Sequence, residues 1–138
     1  MKRRPSIWIA ALLVLLIGAS ACMASADKAA VQTLSPRQFK ALLDRHHGDP
    51  DVVLLDVRTP KEFEDGHIQR ALLLDYYSDD YVDRLKALDR NKTYLVYCRS
   101  GNRSGKSLVI FEKLGFRRVY NLDTGVIGWS GEKYPLVR

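Results

Sequence analysis

Cys98 stands in a segment of the chain whose composition suits nucleophilic sulfur chemistry. Four apolar, β-forming residues, 94–97, precede it and predict a short buried strand, and residues 104–114 predict a helix. A thiol between a strand and a helix N-terminus meets converging backbone N–H groups and the positive end of the helix dipole. Arg99 and Arg103 add fixed positive charge to the same loop. Such surroundings lower the pKa of a thiol from about 8.5 to roughly 3.5–7.5, so the loop predicts a reactive thiolate.

The alternative for Cys98 is structural, because a cysteine after an apolar strand is more often a small buried side chain than a nucleophile. The composition of the loop favours the reactive interpretation. Gly101 and Asn102 tolerate the unusual backbone dihedrals that a tight anion-binding turn needs. Ser104 is the predicted N-cap of the helix, and Gly115 is its predicted C-terminal cap.

Three motifs, in this order along the chain, resemble those of the rhodanese-like sulfurtransferases. Residues 98–104, Cys-Arg-Ser-Gly-Asn-Arg-Ser, resemble the active-site loop of that family. Residues 54–71 are similar to its Asp-Val-Arg and Gly-His-Ile segment, and residues 115–129 resemble its C-terminal signature. The resemblance covers about residues 31–135 and is to single-domain, exported members of the phage-shock type. Two positions depart from the family pattern: Arg70 stands where a glycine is usual, and Asp123-Thr124-Gly125 stands where a glycine pair is usual.

The resemblance implies a thiosulfate sulfurtransferase that works through a persulfide on Cys98. The thiolate would take the outer sulfur of thiosulfate and pass it to cyanide or a thiol, with ping-pong kinetics. Backbone N–H groups of the loop would stabilise the negative sulfur, and the arginines would hold the anionic donor. No metal and no organic cofactor is expected. The loop residues expected to bind the substrate and the persulfide are Arg99, Ser100, Gly101, Asn102 and Arg103.

Alternating apolar runs and helical patterns predict an α/β domain with a mainly parallel sheet of about five strands and helices on both faces. The predicted strands lie at 31–34, 52–55, 71–74, 94–97 and 118–122. The predicted helices begin at Ser35-Pro36, at the capping box Thr59-Pro-Lys-Glu62, at Tyr81 and at Ser104, and residues 125–130 predict a short turn or helix that buries Trp129.

Asp56 and Arg58 follow the second strand and should share the edge of the sheet with Cys98, because the carboxyl ends of parallel strands meet there. They are supporting site residues, either as an ion pair that fixes loops or in direct contact with the substrate. Glu62 is expected in the same structural network. His67 is interpreted as structural, since a thiolate with a lowered pKa needs no general base.

Residues 1–26 predict a targeting segment that precedes a single domain over 27–138. Lys2-Arg3-Arg4 forms a positive n-region, and residues 7–17 are an apolar run too short to span a bilayer comfortably. Cleavage after Ala26 would release a soluble protein, whereas a lipobox-like sequence before Cys22 would lead to a lipid anchor. The alternative is an uncleaved anchor. We expect a bacterial periplasmic protein, soluble or lipid-anchored.

The charge balance excludes a typical nucleic-acid-binding protein. The chain has 22 basic and 16 acidic residues, and three basic residues lie in 1–26, so residues 27–138 hold 19 basic against 16 acidic, or +3. The expected partners are a small anionic sulfur donor and a thiol or cyanide acceptor, with a monomeric protein and membrane contact only through Cys22. His46 and His47 have no third ligand at metal spacing and are interpreted as exposed loop residues.

Three other functions compete with sulfur transfer. A cysteine phosphatase or arsenate reductase would place its arginine six residues after the cysteine, whereas Arg103 follows Cys98 by five. A nucleotide-binding P-loop would need a glycine at Ser100, before Gly105-Lys106-Ser107. A non-enzymatic persulfide carrier would use the same cysteine, so the sequence leaves this alternative open.

Overall fold

The computed structural model describes residues 30–138, in which strands and helices alternate along the chain. The strands are β1 (Ala30–Leu34), β2 (Val52–Asp56), β3 (Leu72–Leu73), β4 (Thr93–Tyr97) and β5 (Arg118–Leu122). The helices are α1 (Pro36–Arg45), α2 (Pro60–Glu64), α3 (Tyr81–Lys86), α4 (Asn102–Lys113) and α5 (Gly125–Gly131). The predicted α/β alternation is confirmed.

The strands of this region form one parallel sheet in the order β1-β5-β4-β2-β3. β4 lies at the centre, between β5 and β2, and Tyr97 at its end is in register with Asp56 at the end of β2. The residues that follow these two strands therefore emerge side by side at one edge of the sheet. This is the juxtaposition of Cys98 with the Asp56 segment that the sequence predicts.

Each face of the sheet carries its own apolar core, because successive side chains of a strand point to opposite faces. Tyr94 and Val96 of β4 pack on one face with Phe111 of α4, while Leu95 and Tyr97 point to the other face. The second core also contains Phe39 of α1, Leu54 of β2, Leu122 of β5 and Trp129 of α5. The helices therefore cover both faces, as expected.

Side-chain caps define where α1 and α2 begin. Ser35 and Gln38 form a capping box at α1, and Thr59 and Glu62 form one at α2, each with proline in the first turn. Because these boxes satisfy backbone N–H groups locally, both helix starts were predictable from the sequence. Gly115 follows α4 with φ of 83°, which confirms the predicted C-terminal cap.

The predicted start of α4 was wrong by two residues. The N-cap is Gly101, with φ of 86°, and Asn102 is the first helical residue, so Ser104 lies in the first turn and not at the cap. Asn102 consequently adopts no unusual dihedral; Gly101 alone of this pair makes the turn. The third strand is also shorter than predicted, because only Leu55 and Asp56 of β2 pair with it before the chain turns away.

Both departures from the family pattern fall on strained backbone. Arg70 has φ of 70° and Thr124 has φ of 56°, which is the left-handed region that favours glycine. The backbone of both turns therefore adopts the left-handed conformation even though neither residue is glycine.

Within residues 30–138, no helix is long and apolar enough to cross a membrane. The predicted signal segment 1–26 and Cys22 lie outside the described residues, so the expectations for export and lipidation stay predictions.

Candidate active site

Cys98 is held between the end of β4 and the first turn of α4, in the centre of the sheet. Only 1% of the residue is exposed, and it belongs to the core under α4. The helix starts close behind the sulfur because Gly101 turns the chain in a left-handed conformation. The thiol is therefore almost completely enclosed by the protein.

Several hydrogen-bond donors of the loop face the sulfur of Cys98, and two of them form hydrogen bonds with it. The backbone N–H of Gly101 lies 3.2 Å from Sγ, and the hydroxyl of Ser104 donates to Sγ over 3.3 Å. Burial alone would raise the pKa of the Cys98 thiol. The hydroxyl of Ser104 and the backbone N–H groups of Ser104, Ser100 and Gly101 outweigh that effect, so the pKa of Cys98 lies below its usual value. The site therefore favours the thiolate, as the sequence predicts.

Ser104→Ala is expected to raise the pKa of Cys98, because it removes the side-chain donor that stabilises the thiolate. An acid with a lowered pKa ionises at lower pH, so losing the donor should move the midpoint of iodoacetamide alkylation to higher pH. Ser107→Ala is the matched control: Ser107 is equally buried, but its hydroxyl donates to the carbonyl of Arg103 and not to the sulfur. An unchanged midpoint in Ser104→Ala would contradict the assigned role of this hydroxyl.

Gly125 lets the start of α5 brace the cysteine loop. The N–H of Val126 donates to the carbonyl of Cys98 over 2.9 Å, and the N–H of Ile127 donates to that of Arg99 over 3.1 Å. A Cβ at Gly125, where φ is 55°, would lie 2.3 Å from the carbonyl oxygen of Cys98. This close approach of two backbones therefore needs glycine.

Arg103 is tied to α2 by a two-pronged ion pair. Its Nη1 and Nη2 lie 2.8 and 2.7 Å from the two carboxylate oxygens of Glu62. The hydrogen bond from Arg103 lowers the pKa of Glu62 to about 2, and the bond to Glu62 raises the pKa of Arg103. The guanidinium also lies 5.4 Å from the ring centre of Tyr77, so an aromatic ring lies beside this cation.

The Glu62–Arg103 pair should make the protein sensitive to acid. Because the pKa of Glu62 is depressed, its contribution to stability is present above the usual value of 4.5 and is lost as the pH falls towards about 2. We expect Glu62→Gln to lower the free energy of unfolding at pH 7 by about 1–3 kcal/mol and to flatten its decline between those pH values. Urea unfolding measured across this range checks it, with Glu64→Gln, an exposed residue of the same helix, as control. Equal acid sensitivity of wild type and Glu62→Gln would contradict the pairing.

Comparison with known proteins identifies this arrangement. Residues 35–132 match the family described as the rhodanese-like domain. The chain belongs to the rhodanese-like domain family. Its fold is similar to that of a rhodanese-related protein from Thermoplasma volcanium, with a TM-score of 0.65 at 26% identity over 77% of this chain and 97% of that one.

The rhodanese-like relatives include proteins named as sulfurtransferases. The chain is 34% identical to a sulfurtransferase of Allochromatium vinosum over 71% of its own length and 90% of that protein. It is 33% identical to the putative sulfurtransferase YtwF of Bacillus subtilis, over 69% and 89% of the two chains. It is also 30% identical to the probable adenylyltransferase/sulfurtransferase MoeZ of Mycobacterium tuberculosis, but it spans only 28% of the length of that protein.

The supporting residues of this rhodanese-like site form a buried ion pair. Arg58 donates from Nη2 to Asp56 over 2.6 Å and to the carbonyl of Gly66 over 2.7 Å. Asp56 has no exposed surface and Arg58 has 4%, so the pair fixes the loops after β2 and around Gly66. Arg58 also reaches the floor of a shallow depression that Arg99 lines. Glu62, expected in the same structural network, lines this depression with Arg58 and forms its hydrogen-bonded ion pair with Arg103.

Arg99 and the two histidines His46 and His67 lie outside these ion pairs. Arg99 is exposed beside the shallow depression and forms no ion pair within residues 30–138, so its charge is available to an anion. His67 stacks on Phe63 with ring centres 3.7 Å apart, and His46 lies 3.2 Å from Asp49. In the part of the chain that the structure describes, no group of three potential metal ligands comes together.

Three features of the site were missed by sequence reasoning. They are the hydroxyl of Ser104 at the sulfur, the close approach of Gly125 to the cysteine loop, and the pairing of Arg103 with Glu62. A signal existed for the first, because glycine is an accepted N-cap residue and Gly101 would have placed Ser104 inside the helix. The other two join residues far apart in the sequence and leave no local pattern.

Proposed function

We propose that this protein is a thiosulfate sulfurtransferase that moves a sulfane sulfur to cyanide or a thiol through a persulfide on Cys98. One observation carries the proposal: two donors, at 3.2 and 3.3 Å, stabilise a thiolate at the N-terminus of α4. The rhodanese-like family and the relatives named as sulfurtransferases support sulfur transfer in general. The choice of thiosulfate and cyanide is our extension from the anionic donor that a cationic site mouth favours.

The reaction consists of two displacements at sulfur. The thiolate of Cys98 attacks the outer sulfur of thiosulfate, a new S–S bond forms, and sulfite leaves with the electron pair of the old one. The persulfide then carries the negative charge that Gly101 N–H and Ser104 Oγ–H are placed to stabilise. Cyanide attacks the outer sulfur, thiocyanate leaves, and the thiolate is restored. No step needs a general base.

The two arginines of the loop take different parts in this scheme. Arg99 is the cation free to attract thiosulfate to the mouth of the site. Arg103 is engaged by Glu62, with only 13% of its side chain exposed, so it fixes the first turn of α4 and adds positive potential near the sulfur. Its engagement argues against the phosphatase alternative, in which the arginine of the loop must be free to hold an oxyanion.

Intact mass spectrometry after incubation with thiosulfate tests the proposal. We expect a gain of one sulfur atom per chain, reversed by cyanide with release of thiocyanate. Repeated turnover under excess of both substrates supports an enzyme, whereas a single loading without turnover would favour the persulfide carrier. Hydrolysis of an aryl phosphate faster than sulfur transfer would replace the proposal by the phosphatase reading.

A further inference from the structure

A second cavity lies on the opposite end of the sheet from Cys98. It has a volume of about 180 Å³ and reaches Val52, the first residue of β2. β2 and β4 are parallel and Cys98 follows the last residue of β4, so the length of a strand, about 13 Å, separates the two places. The cavity is therefore no part of the proposed catalytic site.

The walls of this cavity combine an apolar floor with a polar rim. Leu54, Ile68 and Trp129 are core residues with exposures of 5%, 2% and 2%, and they form part of the floor. Lys40 and Arg70 belong to the rim. A volume of about 180 Å³ is enough for one substituted six-membered ring, because a dry cavity of about 150 Å³ already binds benzene.

Arg70 supplies the unbalanced charge of the rim. Lys40 is neutralised by Asp44, whose two oxygens lie 2.7 and 2.6 Å from its Nζ. His46 also has a carboxylate partner, Asp49. Among residues 30–138, the guanidinium of Arg70 meets no hydrogen-bonding or ion-pairing partner. The rim thus presents one free planar cation, and a carboxylate is a group that matches it in two-pronged geometry.

The backbone at Arg70 gives a second, independent observation. Its φ of 70° would suit glycine, and an L side chain there strains the chain. Strained residues persist where the surrounding structure holds them, and they cluster at ligand-binding sites. Arginine is unfavourable at this φ, and a role in binding a ligand beside the ring-sized apolar cavity would explain why it stands there.

We propose that this cavity binds a compact aromatic monocarboxylate, with the ring on the floor of Leu54, Ile68 and Trp129 and the carboxylate on Arg70. The site is independent of the proposed sulfur transfer. The affinity for a single-ring ligand should be about millimolar, since such a ligand has few atoms to contribute.

Benzoate and its neutral isostere benzamide are the probes for this site. Titration followed by ¹⁵N NMR should shift the indole N–H of Trp129, which donates to Pro135 at the cavity over 2.9 Å, and the amide of Ile68. We expect benzamide to bind at least tenfold more weakly than benzoate. Arg70→Gly should weaken benzoate at least tenfold, bring benzoate and benzamide to similar affinity, and leave sulfur transfer unchanged. Glycine suits this φ, so the variant should fold.

Arg99→Ala is the matched control, because it removes an exposed cation at the cysteine loop and leaves the cavity intact. The shifts at Trp129 should persist in that variant. Benzoate shifts confined to the Gly101 loop and lost in Arg99→Ala, equal binding of benzamide by the wild type, or undiminished benzoate binding by Arg70→Gly would each overturn the proposal.

Discussion

Replacing Cys98 with serine is expected to abolish sulfur transfer from thiosulfate to cyanide while leaving the fold intact. A serine hydroxyl stays protonated at neutral pH and cannot form a persulfide, so no sulfur atom should be gained on incubation with thiosulfate. Gly101 N–H and Ser104 Oγ–H, which now point at Sγ, can donate to the serine oxygen instead. Because the two side chains are close in size, the unfolding midpoint should shift by no more than about 5 °C.

Formation of thiocyanate measures the activity of Cys98→Ser, and circular dichroism measures its folding. Cys22→Ser is the control: it replaces the other cysteine of the chain and should transfer sulfur at the rate of the wild type. A folded Cys98→Ser variant that still produces thiocyanate at that rate would remove the persulfide mechanism. If Cys98→Ser does not fold, Cys98→Ala is tested instead by the same two measurements.

The parts of this fold that were predictable from sequence are those written in local patterns. The continuous apolar run 94–97 predicts a short buried strand, and the structure buries Tyr94 and Val96 on one face of the sheet and Leu95 and Tyr97 on the other. The capping boxes at Thr59 and Ser35 likewise settle the starts of two helices within four residues each. In both cases the interactions that stabilise the element lie within the few residues that form the pattern.

The predictions that failed concern features that depend on contacts between residues far apart in the sequence. The apolar run 71–74 predicts a full strand, yet only Leu72 and Leu73 pair with β2 in the sheet. In the sequence Arg103 is a free cation of the loop, but the fold brings Glu62, 41 positions earlier, within 2.7 Å of it. The position of Cys98 was therefore predictable, whereas the division of labour between Arg99 and Arg103 needed the structure.

Gly125→Ala is expected to destabilise the protein more than the other variants proposed above. The new Cβ would lie 2.3 Å from the carbonyl oxygen of Cys98 and 2.6 Å from the carbonyl carbon of Arg99, both of which are backbone atoms. Left-handed backbone costs an L residue roughly 1–2 kcal/mol, and relief of the overlap costs about 1–3 kcal/mol more. Urea unfolding should therefore show a loss of about 2–5 kcal/mol. A loss below 1 kcal/mol would mean that α5 and the loop do not approach this closely.

The same substitution should reach the chemistry, because α5 holds the loop through Val126 and Ile127. A Cβ at Gly125 must push the two segments apart, which moves Gly101 N–H and Ser104 Oγ relative to Sγ and should raise the pKa of Cys98. Alkylation should then occur at higher pH in the fraction that remains folded.

Gly131→Ala is the control at the other end of the helix, where nothing lies within 4 Å of the new Cβ. That variant should gain about 0.5–1 kcal/mol from reduced freedom of the unfolded chain and should keep the alkylation profile of the wild type. If both variants lost similar amounts of unfolding free energy, α5 would be intolerant of alanine at any position. The proposed contact between the start of α5 and the cysteine loop would then have no support.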